Sequence, residues 1–164
     1  MTGTVIQINR SGGGLPKFPV EGALITSLGI EGDSHAHPAI HGGPLKAVLI
    51  VCAEVVEELV AKGYPLFYGA LGENLTTRGL DRRNLRTGQR YRAGHAVIEL
   101  TRLRQPCPEL DIYGAGIKDE IYDEAARRGD PSSPHWAMSG FYAAVVVPGR
   151  ITAGDAMASI DEAA

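Results

Sequence analysis

The chain opens with alternating polar and apolar residues, GTVIQIN over Gly3–Asn9, the period-two pattern of a strand with one buried face. ALITS (Ala23–Ser27) reads as a second strand. AVLIV (Ala47–Val51) is apolar throughout, as a strand buried on both faces is. The period then changes. In AEVVEELVAKG, Val55, Val56, Leu59 and Val60 share one helical face while Glu54, Glu57, Glu58 and Lys62 lie elsewhere, and Gly63 supplies a stop. Strand character returns in ENLTT (Glu73–Thr77), QRYR (Gln89–Arg92) and HAVIELTRLR (His95–Arg104). The last two are expected to form a hairpin turning at Ala93-Gly94. GIKDEIYDEAARRG (Gly116–Gly129) stacks Ile117, Ile121 and Ala125 at helical spacing and predicts one helix. FYAAVVV (Phe141–Val147) and a short strand near Ala156–Ile160 complete the pattern. Many short strands, regular turns and two or three helices predict a mostly β fold, a β-barrel with a few peripheral α-helices.

Composition supports that picture. The 21 glycines and 10 prolines are spread along the chain, which favours many tight turns over a linker. At 164 residues, 44% hydrophobic and 21% charged, the chain is expected to form a single domain over residues 1–164. A net charge of −3 gives no reason to expect nucleic-acid or membrane binding. The N-terminus shows no signal-peptide pattern, and the longest apolar run, Ala47–Ala53, is too short to span a bilayer, so a cytoplasmic location is expected. Two cysteines in such a chain are expected to be reduced thiols.

Candidate chemistry begins at RLRQPCPEL (Arg102–Leu110). Strict alternation in the preceding strand puts Ala96, Ile98, Leu100, Arg102 and Arg104 on one side, apolar first and basic at the end. Two guanidiniums about 7 Å apart on one face can grip an anion; the bland alternative is a strand emerging into solvent. Cys107 follows, held between Pro106 and Pro108. Cationic neighbours favour thiolates, which attack electrophiles and bind soft metals. A lone cysteine is otherwise often a small buried hydrophobe, and Cys52, ending an apolar run, is read that way.

Three further stretches matter. GDSHAHPAIHGGPLK (Gly32–Lys46) holds Asp33, His35, His37 and His41, metal-type residues whose spacing departs from a hydrolytic HxHxDH motif because Ala39 and Ile40 stand at the next positions. In the same segment, Gly42 and Gly43 permit an anion-binding nest, with His41 and Lys46 adding positive charge; a surface turn with incidental histidines remains the alternative. GENLTT offers the carboxylate of Glu73, the amide of Asn74 and the hydroxyls of Thr76 and Thr77. From Arg78 to Arg104 lie eight arginines against Asp81 and Glu99, half of the 16 Lys and Arg, which points to an anionic small ligand more than to a polyanion. The sole tryptophan, Trp136, is read first as a core cover and second as the wall of a planar ligand site.

Four segments together resemble a MOSC domain of the short stand-alone bacterial type: GIEGDSHAHPAIHGGPLKAV, GALGENLTTRGLDRRNLRTGQRY, AVIELTRLRQPC and SGFYAAVVVPGRITAGD, spanning about Gly29 to Asp155. The resemblance implies a mostly β barrel whose mouth binds the molybdopterin form of the molybdenum cofactor. It implies Cys107 as catalytic thiol, either a molybdenum ligand or a sulfur (persulfide) carrier. It further implies His41, Gly42, Gly43, Lys46, Arg102 and Arg104 as contacts for a cofactor with a terminal phosphate, with Asn74 and Thr76 as neutral donors. Two positions depart from the family pattern: Leu45 stands where an Asp commonly follows HGGP, and Met138 where many relatives carry an arginine. Pyridoxal-phosphate chemistry belongs to a separate domain of the larger sulfurases and is not expected here. The expectation is therefore a molybdenum-dependent oxidoreductase that reduces N-hydroxylated compounds. Electrons would come from a separate reductase, since two cysteines cannot hold an ordinary iron–sulfur cluster. A persulfide carrier or a non-catalytic anion-binding barrel are the alternatives.

Overall fold

A computed structural model of the protein describes residues 1–34 and 43–160. In chain order the elements are β1 (Thr2–Arg10), β2 (Phe18–Val20), β3 (Gly22–Thr26), β4 (Gly29–Ile30), β5 (Val48–Cys52), α1 (Ala53–Ala61), β6 (Leu75–Arg78), β7 (Arg90–Ala93), β8 (Ala96–Leu103), α2 (Ile117–Ile121), α3 (Glu124–Arg127), β9 (Phe141–Val147), β10 (Gly149–Thr152) and β11 (Ala156–Ser159). Short 3-10 turns cover Pro44–Lys46, Arg82–Asn84 and Pro108–Tyr113.

Seven strands close into a barrel in the order β1-β11-β7-β8-β9-β5-β6 and back to β1. Every seam is antiparallel except β5–β6, which is parallel. The segment from α1 to Asn74 is the crossover that a parallel pair requires. β2 extends the sheet from β1, and β10, β3 and β4 form a small second sheet. The mostly β fold with few helices agrees with the sequence expectation.

Alternation explains the interior. Val5, Ile8, Leu75, Ile98, Leu100 and Met157 are each no more than 1 % exposed, and β5 is buried at all five positions. Burying a side chain of this size stabilises the fold by roughly 1.5–3 kcal/mol each. In α1, Val55, Val56 and Leu59 turn inward as expected, whereas Val60 points outward at 47 % exposure. Gly63, at φ +101°, donates to the Val60 carbonyl at 2.9 Å and ends the helix.

Two expectations are corrected. The single helix over Gly116–Gly129 is two short ones, because Tyr122 is extended and Asp123 breaks the run. The Asp123 carboxylate caps α3 by accepting from the Ala126 N–H at 2.7 Å and also receives the Ser133 hydroxyl at 2.8 Å. The β7–β8 hairpin turns at Gly94-His95, with Ala93 opposite Ala96. Among the described residues no helix is long and apolar enough to cross a membrane.

Candidate functional site

Cys107 lies just beyond β8, at the entry to the Pro108–Tyr113 turn, with extended backbone angles (φ −95°, ψ 158°). The turn is pinned by Leu110, which is fully buried and donates its N–H to the Cys107 carbonyl at 3.2 Å. The thiol is half-buried and unpaired with Cys52. It opens on two cavities at once. One is a wide cleft of about 1170 Å³; the other is a recess of about 50 Å³. Lys46, Cys107, Glu109 and Tyr142 border both and form the neck between them.

The wide cleft is cationic and aromatic. Arg86, Arg102 and Arg127 join Lys46 there, against the single carboxylate Glu109 on its lining, with Tyr122 and Trp136 as apolar wall. Trp136 also fulfils the core role: it is 6 % exposed, donates its indole N–H to Leu85 O at 2.9 Å and packs edge-on to Phe141. Arg86 lies over its ring at 5.7 Å. Lys46 reaches over the Tyr142 ring at 5.2 Å. Burial pushes the Tyr142 hydroxyl above its ordinary pKa.

The recess is lined by Leu15, Lys17, Leu49, Asn74 and Arg104 on the inner side of the thiol. Here one expectation fails. Arg102 is exposed in the wide cleft, whereas Arg104 is 3 % exposed in the recess, so they do not share one face. Two features are responsible: a β-bulge at Thr101, between Leu100 and Arg102, turns Arg102 off the face of Leu100, and regular pairing ends at Leu103, so Arg104 lies past the alternating strand. Thr101 itself donates to Leu45 O.

Arg104 is held mainly through its backbone, its N–H bonded to Gly140 O at 2.8 Å and its carbonyl accepting from Ser139 Oγ at 2.6 Å. Among the described residues its guanidinium makes one long contact, Nη1 to Ser139 O at 3.5 Å, and Nε is buried without a partner. The other buried side-chain atom without a partner among the described residues is Glu73 Oε1. Glu73 is fully buried, and burial pushes its carboxyl up to about 7. Backbone N–H groups of Glu73 and Gly69, the Arg104 charge and the Thr76 hydroxyl offset only part of that desolvation.

The expected neutral donors prove to be committed to the fold. The Asn74 side chain accepts from Leu49 N–H at 3.0 Å and donates to Asn9 O at 3.3 Å and to Asp33 Oδ2 at 2.8 Å. Thr76 is fully buried, accepts from Asn9 Nδ2 at 3.1 Å, donates to Glu73 Oε2 at 3.3 Å, and lines neither cavity. Asn74 does line the recess, but with its amide already bonded. Asp33, read as a metal-type residue, instead receives Lys17 Nζ at 2.7 and 2.8 Å and the Ser11 N–H at 2.9 Å. Lys17 and Asp33 side chains are only 5 % and 4 % exposed. Sequence reasoning missed Lys17, Glu109 and Tyr142. Glu109 could have been found by its place two residues past the thiol; Lys17 carries no local signal.

Gly43 is exposed at φ +97° and precedes the Pro44–Lys46 turn, so it supports Lys46 without lining either cavity. His35, His37, His41 and Gly42 lie outside the described residues. Most of the arginine-rich window is structural. Arg78 pairs with Glu57, Arg83 with Asp81, Arg90 with Glu99, and Arg82 holds the carbonyls of Pro134 and Trp136. Met138, where many relatives carry an arginine, is 3 % exposed and packs in the core.

Comparison with known proteins matches the model of the MOSC domain to residues 37–158. The chain is 34% identical over 145 residues to YflK of Bacillus subtilis strain 168, covering 86% of this chain and 60% of that protein. It is 33% identical over 147 residues to YiiM of Escherichia coli K12, covering 85% and 60%. It thus spans about 60% of the length of these relatives. The crystal structure of YiiM from Geobacillus stearothermophilus superposes with a TM-score of 0.73 at 23% identity, over 97% of this chain and 75% of that one, a likeness of fold. On its motifs, its barrel and the span of that match, the chain belongs to the MOSC domain family, a family associated with molybdenum cofactor binding.

Proposed function

We propose that this protein binds a molybdopterin-type molybdenum cofactor across the cleft and works as a reductase of N-hydroxylated compounds. The observation that carries the reading is the position of Cys107, a half-buried thiol at the neck between a cationic, aromatic-walled cleft and a recess backed by a buried guanidinium. These residues fit such a group. A thiolate is a soft metal ligand, and guanidinium and ammonium groups match a phosphate. Lys46 and Arg102 would hold the anionic end, with Gly43 supporting the Lys46 turn from outside the cavities; His41 and Gly42 extend the same segment in sequence. Trp136 and Tyr122 would flank the planar ring system, which stacks well on aromatic walls. When bound, the cofactor supplies a redox-active metal able to take an oxygen atom from the substrate.

The chain's own part is to present the Cys107 sulfur from a proline-fixed turn and to keep Arg104 on the inner side of that sulfur. Electrons are assigned to a separate reductase. The test is metal analysis of protein made in a cofactor-producing host. Near-stoichiometric molybdenum that falls to background in Cys107→Ser, with folding intact, supports the reading, and reduction of an N-hydroxylated base with a supplied electron donor then tests turnover. Cyanide-labile sulfur without molybdenum would replace it with the persulfide carrier, a role that the half-exposed thiol on an open cleft also suits. Neither metal nor labile sulfur would leave a non-catalytic anion-binding barrel.

A further inference from the structure

Among the described residues the buried Arg104 guanidinium makes a single hydrogen bond, of 3.5 Å, an unusual thing to leave in a protein interior. Removing a charge from water is unfavourable unless it is paired and fully hydrogen-bonded. Arg104 is 97 % removed from solvent by its 3 % exposure, makes no ion pair among the described residues, and borders the recess. Two polar groups of the lining are already committed: Lys17 is bonded to Asp33 and Ser34 O, and Asn74 to Leu49, Asn9 and Asp33. Lys46 and Tyr142 stand at the neck, where the recess meets the cleft, so the donors for a guest within the recess are those of Arg104, with the Lys46 ammonium at its mouth. Size narrows the guest further. A volume of about 50 Å³ accommodates roughly three to five groups of water size. A carboxylate, formate or nitrate has three or four heavy atoms and the planar geometry that a guanidinium fork matches.

We propose that the recess inside Cys107 is a binding site for a small planar oxyanion of carboxylate size, gripped by Arg104, with the buried Glu73 carboxyl as the internal group that competes for the same positive charge. Glu73 does not itself line the recess but stands in sequence between Gly72 and Asn74, which do, and it lies within the field of the Arg104 charge; among the described residues its Oε1, like Arg104 Nε, is buried without a hydrogen-bond partner. Protonated, Glu73 leaves the guanidinium charge for the guest. Ionised, it compensates that charge internally. Its crossover lies near 7, so anion affinity falls as pH rises through neutrality, and a bound anion in turn favours the protonated carboxyl.

Other titratable groups face this region. Tyr113, which donates to Ala70 O, is pushed up to about 12 by burial and by Glu73, and Tyr142 is raised by burial, so both stay neutral across the window. The Lys17–Asp33 pair and Lys46, Cys107 and Glu109 also border the recess, and Glu73→Gln keeps all of them in the sequence, which makes that substitution the decisive control.

The inference does not need the cofactor, so the experiment uses the metal-free full chain with carbon-13 formate as probe, followed by NMR line broadening and calorimetry. Formate is expected to bind in the millimolar range about tenfold more weakly near pH 8 than near pH 6, as one coupled proton requires. Glu73→Gln is expected to keep the low-pH affinity and lose the pH dependence. Arg104→Gln is expected to abolish binding; if that variant does not fold, the Arg104 Nε–H resonance of the native protein must shift on formate addition. Benzoate separates two sources of the same chemistry. Binding tighter than formate marks a head-group subsite of a larger molecule whose ring stays in the cleft, and binding of formate alone marks a free small anion. Absence of formate binding near pH 6, or an unchanged pH slope in Glu73→Gln, overturns the proposal, and neither result bears on molybdenum loading.

Discussion

Cys52 ends β5 with 2 % of its surface exposed, and burial pushes its thiol up to about 11, against which a weak bond from Thr77 does little. Cys107 is half-buried at the neck of the site. Alkylation follows thiolate fraction and access. Iodoacetamide at neutral pH is therefore expected to modify the folded protein once, at Cys107, with Cys52 reacting only after unfolding; peptide mass mapping that finds comparable labelling of both would refute this. Glu73 gives a second residue-scale outcome. Its folded pKa is raised, so the fold prefers the neutral form. That contribution is fully present below the ordinary carboxyl range near 4.5 and is lost as pH rises through about 7. Denaturant unfolding is expected to show Glu73→Gln more stable than the native protein near pH 8, by up to roughly 3 kcal/mol, and close to it near pH 5. A gap that widens toward acid would have the sign reversed.

Between elements, one polar network does much of the positioning. Lys17, before β2, reaches Asp33, beyond β4; Asp33 receives Asn74, at the start of β6; and Asn74 bonds to both β1 and β5 through Asn9 O and Leu49 N–H. Five stretches of chain, of which those at Lys17, Leu49 and Asn74 line the recess, are thus tied by directional bonds rather than by apolar packing alone. Breaking a buried pair by removing one partner is strongly destabilising. Lys17→Met is expected to lower stability by about 3 kcal/mol in urea unfolding, and adding Asp33→Asn is expected to recover part of the loss by removing the stranded charge. Additive losses in the double variant would show that the two side chains are not coupled. Gly69, at φ +100°, belongs to the same arrangement: it accepts the Lys17 N–H at 2.9 Å, and a Cβ there would overlap the Lys17 carbonyl.

At the scale of the whole molecule, the long strands were legible because alternation over several residues is a strong signal. β1, β8 and β9 fall within a residue or two of their expected limits. β2, β4 and β10 have three, two and four residues, too few to show a period; β2 and β4 pair with the strands just before them, β1 and β3, and β10 with the distant β3. The site divides in the same way. Cys107, Lys46, Arg102 and Arg104 stand out from their own neighbourhoods in sequence. The bulge at Thr101, the Lys17–Asp33 pair and the burial of Glu73 arise only when the ring closes. That ring has a further consequence. A circle of seven strands regains its starting direction only if the number of reversals is even, so six seams reverse and one must not. The non-reversing seam obliges the chain to travel back outside the barrel before it re-enters, and the re-entry is Gly72-Glu73-Asn74. Were the count eight, with hairpins throughout, no such return would be needed, and the buried Glu73 carboxyl would have no segment to carry it inside.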